Sequence, residues 1–249
     1  MKIFETHAHL DFPDYDKDRQ TLLEKCFQSG IEHIVNIGID KKTTQASIKL
    51  AKRYPQIFAT AGYHPHNADD FVEDSLIELI KSPQVVAIGE VGLDFYRMNA
   101  PKDVQLGAFE KQVQIAAQYK MPLVIHSRQA YEQCLQVLSR YDLPKVVFHC
   151  FSGDETDARK IIDKGWFISF TGVVTYKNAN MDSIVRMVPD EQYFVETDSP
   201  YLTPVPHRGK RNSPLNLRHI IEKIAFYKKQ TPKTVAQNTF DNASEFFLG

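Results

Sequence analysis

The chain has 249 residues, 43% hydrophobic and 24% charged, with 11 Gly and 13 Pro. These proportions exclude collagen-like, low-complexity and disordered classes. Thirty Lys and Arg against 31 Asp and Glu leave a net charge of −1, so any polyanion has to be held by a local patch rather than by a global field.

In chain order, a first strand is predicted at Lys2–Glu5, followed by a helix over Lys17–Gln28 with Gly30 as its C-cap. A second strand at His33–Ile37 leads to a helix at Thr43–Arg53 that stops before Pro55. Strands at Ile57–Ala61 and Val85–Gly89 come next, then a helix at Asp103–Tyr119 with apolar residues at helical spacing. The remaining strands are Leu123–Ile125, Lys145–Phe148, Trp166–Ser169 and Tyr193–Val195, and the remaining helices Arg128–Ser139, Asp154–Lys164, Leu215–Lys229 and Pro232–Phe247. Several strands are almost wholly apolar, as parallel strands buried on both faces are. Eight strands interleaved with helices in a chain of this size predict an α/β fold, a single (β/α)8 TIM barrel forming one domain over 1–249. A doubly wound open sheet is the alternative, but no GxGxxG follows the first strand.

No window approaches 18 consecutive apolar residues, and the N-terminal segment lacks the apolar stretch of a signal peptide. Cys26, Cys134 and Cys150 show no CxxC spacing, which argues against a disulfide framework or a thiolate zinc site. The expectation is a cytoplasmic protein without membrane association. Cys150 follows His149 directly, and strand alternation is expected to turn it toward the helices as a packing residue. Asp154 is expected to cap a helix.

Active sites of such barrels sit at the C-terminal ends of the strands. Eight exits of about four residues cover roughly 32 positions, so nine scattered histidines would place about one there. Six fall there: His7, His9, His64, His66, His126 and His149. Glu90, Glu196 and Asp198 lie at exits as well. His7 and His9, two apart on an extended segment, leave the same face and reach one point. Four imidazoles and two carboxylates converging at one mouth are the donors that zinc or manganese take, and six ligands exceed the three of a mononuclear catalytic zinc site. Two divalent ions sharing a carboxylate are therefore expected, with zinc, manganese, magnesium, nickel or iron all admissible.

The segments His7-Ala-His9-Leu-Asp11, Gly62-Tyr-His64-Pro-His66, Gly89-Glu90-Val-Gly-Leu-Asp94, His126-Ser-Arg128, His149-Cys-Phe-Ser-Gly153, Glu196-Thr-Asp198-Ser-Pro200 and Arg208-Gly-Lys-Arg-Asn212 together resemble the TatD-type metal-dependent deoxyribonucleases. The likeness runs in order from residue 3 to about residue 247. It implies that His7 and His9 bind one metal, that His126 and His149 bind the other, and that Glu90 bridges the two. Asp198 would bind metal and handle the attacking water, with His64 and Glu196 near the metals or the substrate. Two departures are Glu5, where many members have Asp, and Ser213, where Glu is common.

The implied activity is 3′–5′ exonuclease action on single-stranded DNA without sequence specificity. The alternatives are a carbonyl hydrolase with the same metals, acting on an aminoacyl-tRNA ester, a lactone or an amide, and a non-catalytic metal-binding interaction protein. Arg97, Arg128, Lys210 and Arg211 are candidate phosphate contacts, and Tyr63, Phe95, Tyr96 and Tyr201 candidate stacking surfaces for unpaired bases. Monomer and dimer are equally consistent with the sequence.

Overall fold

The computed structural model describes residues 1–143 and 145–249. Eight strands form one parallel sheet: β1 Ile3–Ala8, β2 Ile31–Asn36, β3 Ile57–Ala61, β4 Val85–Asp94, β5 Leu123–Arg128, β6 Val146–Phe148, β7 Phe167–Phe170 and β8 Tyr193–Val195. Their spatial order is the chain order, β1 to β8. The sheet curls into a nearly closed barrel in which the segment after β8 meets β1: Asp198 N–H donates to the His7 carbonyl at 2.9 Å, and His9 N–H to the Ser199 carbonyl at 2.8 Å. The helices are α1 Arg19–Gln28, α2 Lys41–Arg53, α3 Glu73–Ile80, α4 Lys102–Tyr119, α5 Tyr131–Leu138, α6 Glu155–Ile162, α7 Asp182–Met187, α8 Leu217–Lys228 and α9 Pro232–Leu248.

The TIM barrel read from the sequence is the architecture found. Two helices escaped the sequence reading, α3 with 8 residues and α7 with 6. The stop signals operate as expected. α2 ends at Arg53, before Pro55. α4 closes with Lys120 in the left-handed conformation, two residues before Pro122. The Asp154 side chain accepts the Asp157 N–H at 2.9 Å and caps α6.

The core has an outer and an inner layer. Outward-facing strand residues such as Ile34, Ala59, Leu123, Phe148 and Val195 pack against the surrounding helices. The inner layer takes Phe4, Val35, Ala87, Val124, Val147 and Phe194 from six strands, with Phe246 and Phe247 of α9 against them. The last helix thus plugs the N-terminal end of the barrel, leaving the C-terminal end open.

That inner layer sets the side-chain phase above it. His126, His149 and Glu196 each lie two residues beyond an inner residue (Val124, Val147 and Phe194), so simple alternation aims them into the mouth. His7 and Glu90 lie three residues beyond Phe4 and Ala87, and alternation alone would turn them outward. Register irregularities between Glu5 and Ala8 in β1 and between Ile88 and Val91 in β4 supply the extra residue. A bulge re-aims the side chains that follow it, and here it turns both residues inward.

Candidate metal centre

The floor of the mouth is a cavity of about 740 Å³ lined by His9, His64, His66, Glu90, Asp94, Arg97, His126, Arg128, His149, Asp198 and neighbouring residues. Glu90 stands at its centre, 3% exposed. Its Oε1 lies 2.7 Å from His149 Nε2 and 2.8 Å from His126 Nδ1, and its Oε2 lies 3.4 Å from His7 Nε2. Asp198 Oδ1 lies 3.5 Å from His9 Nε2 and 3.7 Å from His7 Nε2. The i, i+2 expectation for His7 and His9 is met, since both reach the same carboxylate oxygen. His64 Nε2 sits 3.6 Å from Glu90 Oε1, and the His7 and His149 rings stack at 4.0 Å.

Among the described residues, the donor atoms of His7, His9 and Asp198 gather within 4.8 Å of one another. Those of His64, Glu90 and His126 do the same, as do those of His7, His149 and Glu196. His7 has no exposed surface, yet neither of its ring nitrogens has a hydrogen-bond partner, and His9 Nδ1 is also unpartnered. Burying polar atoms unpaired costs free energy; a cation between these nitrogens and the carboxylates removes that cost. The donor set fits divalent metal ions.

Electrostatics point the same way. Burial pushes the Glu90 carboxyl up, but the neighbouring His149 and the bonds to His126 and His149 outweigh it and hold Glu90 well below the usual carboxylate range. Burial likewise opposes ionisation of Asp198, and the His9 contact with the neighbouring imidazoles reverses the balance. Burial and the charge of His126 keep His64 neutral, well below the ordinary imidazole range. Both carboxylates are therefore anionic, as metal ligands have to be.

Around this floor the sequence-predicted residues separate. Arg97, Arg128 and His64 line the cavity. Glu196 does not; it is 1% exposed, accepts the Cys150 N–H at 2.7 Å, and lies 3.3 Å from His149 Nδ1, behind that ring. Lys210 and Arg211 are also outside the cavity lining. Arg211 instead pairs with Asp18 at 2.8 and 2.6 Å and lies over the Tyr15 ring. Of the aromatics, Tyr63 is buried and Phe95 packs against the core, whereas Tyr96 and Tyr201 are 58% and 54% exposed at the rim. The Arg128 guanidinium lies 4.0 Å over the Tyr96 ring.

Cys150 is a correction: it lines the cavity rather than facing the helices. β6 ends at Phe148 and Cys150 adopts φ +45°, so strand alternation no longer applies to it. Glu5, the departure in β1, accepts N–H bonds from Thr197 and His7 at 2.9 and 3.2 Å and the Thr197 hydroxyl at 2.6 Å. It ties β1 to the segment carrying Asp198, and burial pushes its carboxyl up to about 8. Near Ser213, Asn212 holds the loop together by donating to the Thr197 and Tyr201 carbonyls. The sequence reading gave no role to Asp94 or Phe12, which also line the cavity. A signal for Asp94 existed: four residues beyond Glu90 on an extended strand, it faces the same side.

A (β/α)8 barrel whose mouth gathers buried imidazoles around carboxylates in this way is a metal-dependent hydrolase. The chain belongs to the TatD family, since the family model described as TatD related DNase matches residues 4–248. It is 37% identical over 251 residues to the Bacillus subtilis "uncharacterized metal-dependent hydrolase YabD", covering 98% of each chain. It is 35% identical over 257 residues to the "3'-5' ssDNA/RNA exonuclease TatD" of Salmonella typhimurium, again 98% of each. The crystal structure of YjjV, a TatD homologue from Escherichia coli, superposes with a TM-score of 0.93 at 25% identity, covering 98% of this chain and 97% of that one. No helix of the described residues is long and apolar enough to cross a membrane.

Proposed function

We propose that this protein is a 3′–5′ exonuclease on single-stranded DNA with a dinuclear metal site. The observation that carries the reading is Glu90: one oxygen faces His126 and His149 while the other faces His7, as a carboxylate shared between two ions requires. His7, His9 and Asp198 would hold one ion and His126 and His149 the other, with zinc, manganese, magnesium, nickel or iron acceptable to such donors. When bound, the ions lower the pKa of water from 15.7 to about 7 and neutralise charge on the phosphoryl oxygens.

The chain's own groups do the rest. Asp198 faces the cavity from the floor and takes the proton of the attacking water. Arg97 and Arg128 hold phosphate oxygens, which positions a strand without reading its bases. Exposed Tyr96 and Tyr201 offer stacking faces to unpaired bases, a sequence-tolerant mode worth about 1–3 kcal/mol per base. The name of the Salmonella relative supports a nucleic-acid substrate, and three free cysteines suit a cytoplasmic setting.

The test is a time course on 5′-labelled single-stranded DNA and RNA. Metal-stripped protein is reloaded with each ion in turn, with Asp198→Asn as control. A ladder shortening from the 3′ end, dependent on metal and absent in the variant, is expected. No cleavage by protein carrying two ions would overturn the reading in favour of a carbonyl substrate such as an aminoacyl-tRNA ester.

A further inference from the structure

We infer that Asp94 is a positioning residue of the metal centre, which locks the His126 ring with Nε2 protonated so that Nδ1 is the nitrogen offered to metal. The inference rests on the two-ion reading above. Asp94 is 1% exposed at the end of β4. Its Oδ1 accepts the backbone N–H groups of Tyr96 at 3.0 Å and Arg97 at 2.9 Å. Its own backbone is clasped by Gln105, which accepts the Asp94 N–H at 2.9 Å and donates to the Asp94 carbonyl at 3.1 Å. The carboxylate is thereby fixed, and Oδ2 is left aimed at His126 Nε2 at 3.3 Å and His66 Nε2 at 2.9 Å.

A carboxylate oxygen only accepts, so a ring nitrogen facing it carries the proton unless a bound cation stands between the two. His126 has a carboxylate on each side, Glu90 Oε1 at 2.8 Å from Nδ1 and Asp94 Oδ2 at 3.3 Å from Nε2; an ion held by Glu90 would take the Nδ1 lone pair, and the proton then stays on Nε2 against Asp94. On the other ring the same logic runs through the opposite nitrogen. His149 turns Nδ1 to Glu196 and Nε2 to Glu90. A carboxylate bonded behind a ligating ring sets its tautomer and raises its basicity; Asp94 holds that place for His126, whereas Glu196 lies 3.3 Å from His149 Nδ1 without a hydrogen bond. The close approach of strands that makes this possible depends on Gly92, which pairs with His126 in the β4–β5 ladder at φ +140°. A Cβ there would lie 2.0 Å from the His126 carbonyl oxygen.

The decisive variant is Asp94→Asn. It can keep the Oδ1 acceptor for Tyr96 and Arg97 but places an NH2 donor against the N–H of His126. Metal-stripped protein is titrated with Co2+ and followed by visible absorption, alongside a thermal melt. In the variant, one of the two equivalents should weaken about 10–100-fold, with the other equivalent and the melting temperature unchanged. His66→Gln should leave both equivalents as in wild type, which separates the His126 contact from the His66 one. A second measurement needs no variant: ring 15N NMR of zinc-loaded wild type should show His126 as the Nε2–H tautomer. Unchanged affinity for both ions in Asp94→Asn, equal weakening of both with a lowered melt, or an Nδ1–H tautomer at His126 would each overturn the inference. Wild-type protein that takes up no metal would overturn the two-ion reading and this inference together.

Discussion

Arg211 grips Asp18 through two contacts of 2.8 and 2.6 Å and donates to the Asp14 carbonyl. A guanidinium that the sequence placed in a phosphate-binding run thus ties the loop after β8 to the segment between β1 and α1. Arg211→Ala should therefore leave KM for an oligonucleotide within about twofold, and lower stability by only about 0.2–1 kcal/mol, as exposed pairs do. Arg128→Ala should raise KM about tenfold, the loss of about 1.4 kcal/mol of binding. Steady-state kinetics with the two variants side by side would decide it; equal rises in KM would return Arg211 to the substrate.

Asp198, the proposed proton acceptor for the attacking water, is held from behind by its backbone N–H bond to the His7 carbonyl. Asp198→Asn keeps size and hydrogen-bonding capacity but removes the charge and the basicity. The expected loss in kcat is at least the 10²–10⁴-fold typical of a general base, with the circular dichroism spectrum unchanged. Turnover near wild type would remove Asp198 from that role.

Metal should contribute to folding as well as to chemistry, because the unpartnered nitrogens of His7 and His9 lie in the folded core of the mouth. Calorimetric melts of chelator-treated protein should shift upward on adding back the working ion. A ligand at about 100 times its Kd stabilises by about 2.7 kcal/mol per site. A melting temperature indifferent to every divalent ion tested would contradict the fit of this donor set.

Acid sensitivity has a separate origin at the barrel's other side. Asp190 Oδ1 lies 2.9 Å from Lys228 Nζ, and Gln230 donates to Oδ2 at 2.6 Å, joining the segment before β8 to α8. Burial raises the Asp190 carboxyl, but these two partners outweigh it and hold it below its ordinary 3.8. A depressed folded-state pKa means stability that is fully present above about 3.8 and lost as pH falls through the lower folded value. Asp190→Asn should cost about 1.5–3 kcal/mol at pH 7, the range of a hydrogen bond to a charged group. That difference from wild type should shrink below pH 3.8 in urea denaturation. A gap independent of pH would show that the ion pair is not its source.

Much of the site is legible in local pattern. β-strand alternation has period two, so once Val124, Val147 and Phe194 are inward, His126, His149 and Glu196 follow without further information. The apolar strand runs, the proline stops after α2 and α4 and the histidines clustered at strand exits are likewise properties of neighbouring residues. Each depends on a few consecutive side chains, which is why the barrel and the cluster of imidazoles and carboxylates at its mouth could be drawn from sequence.

What tertiary structure alone decided lies where the outcome depends on a distant partner. The inward turn of His7 and Glu90 comes from register irregularities in the pairing of β1 with β2 and of β4 with β5, and a register is a property of two strands together. Cys150 leaves the strand phase at φ +45° where β6 stops, and Glu196, inward by alternation, stands behind the His149 ring rather than in the cavity lining. Arg211 meets Asp18 across 193 residues of chain. A basic loop read alone leaves its charge available for phosphate; the folded chain had already committed that charge to a carboxylate.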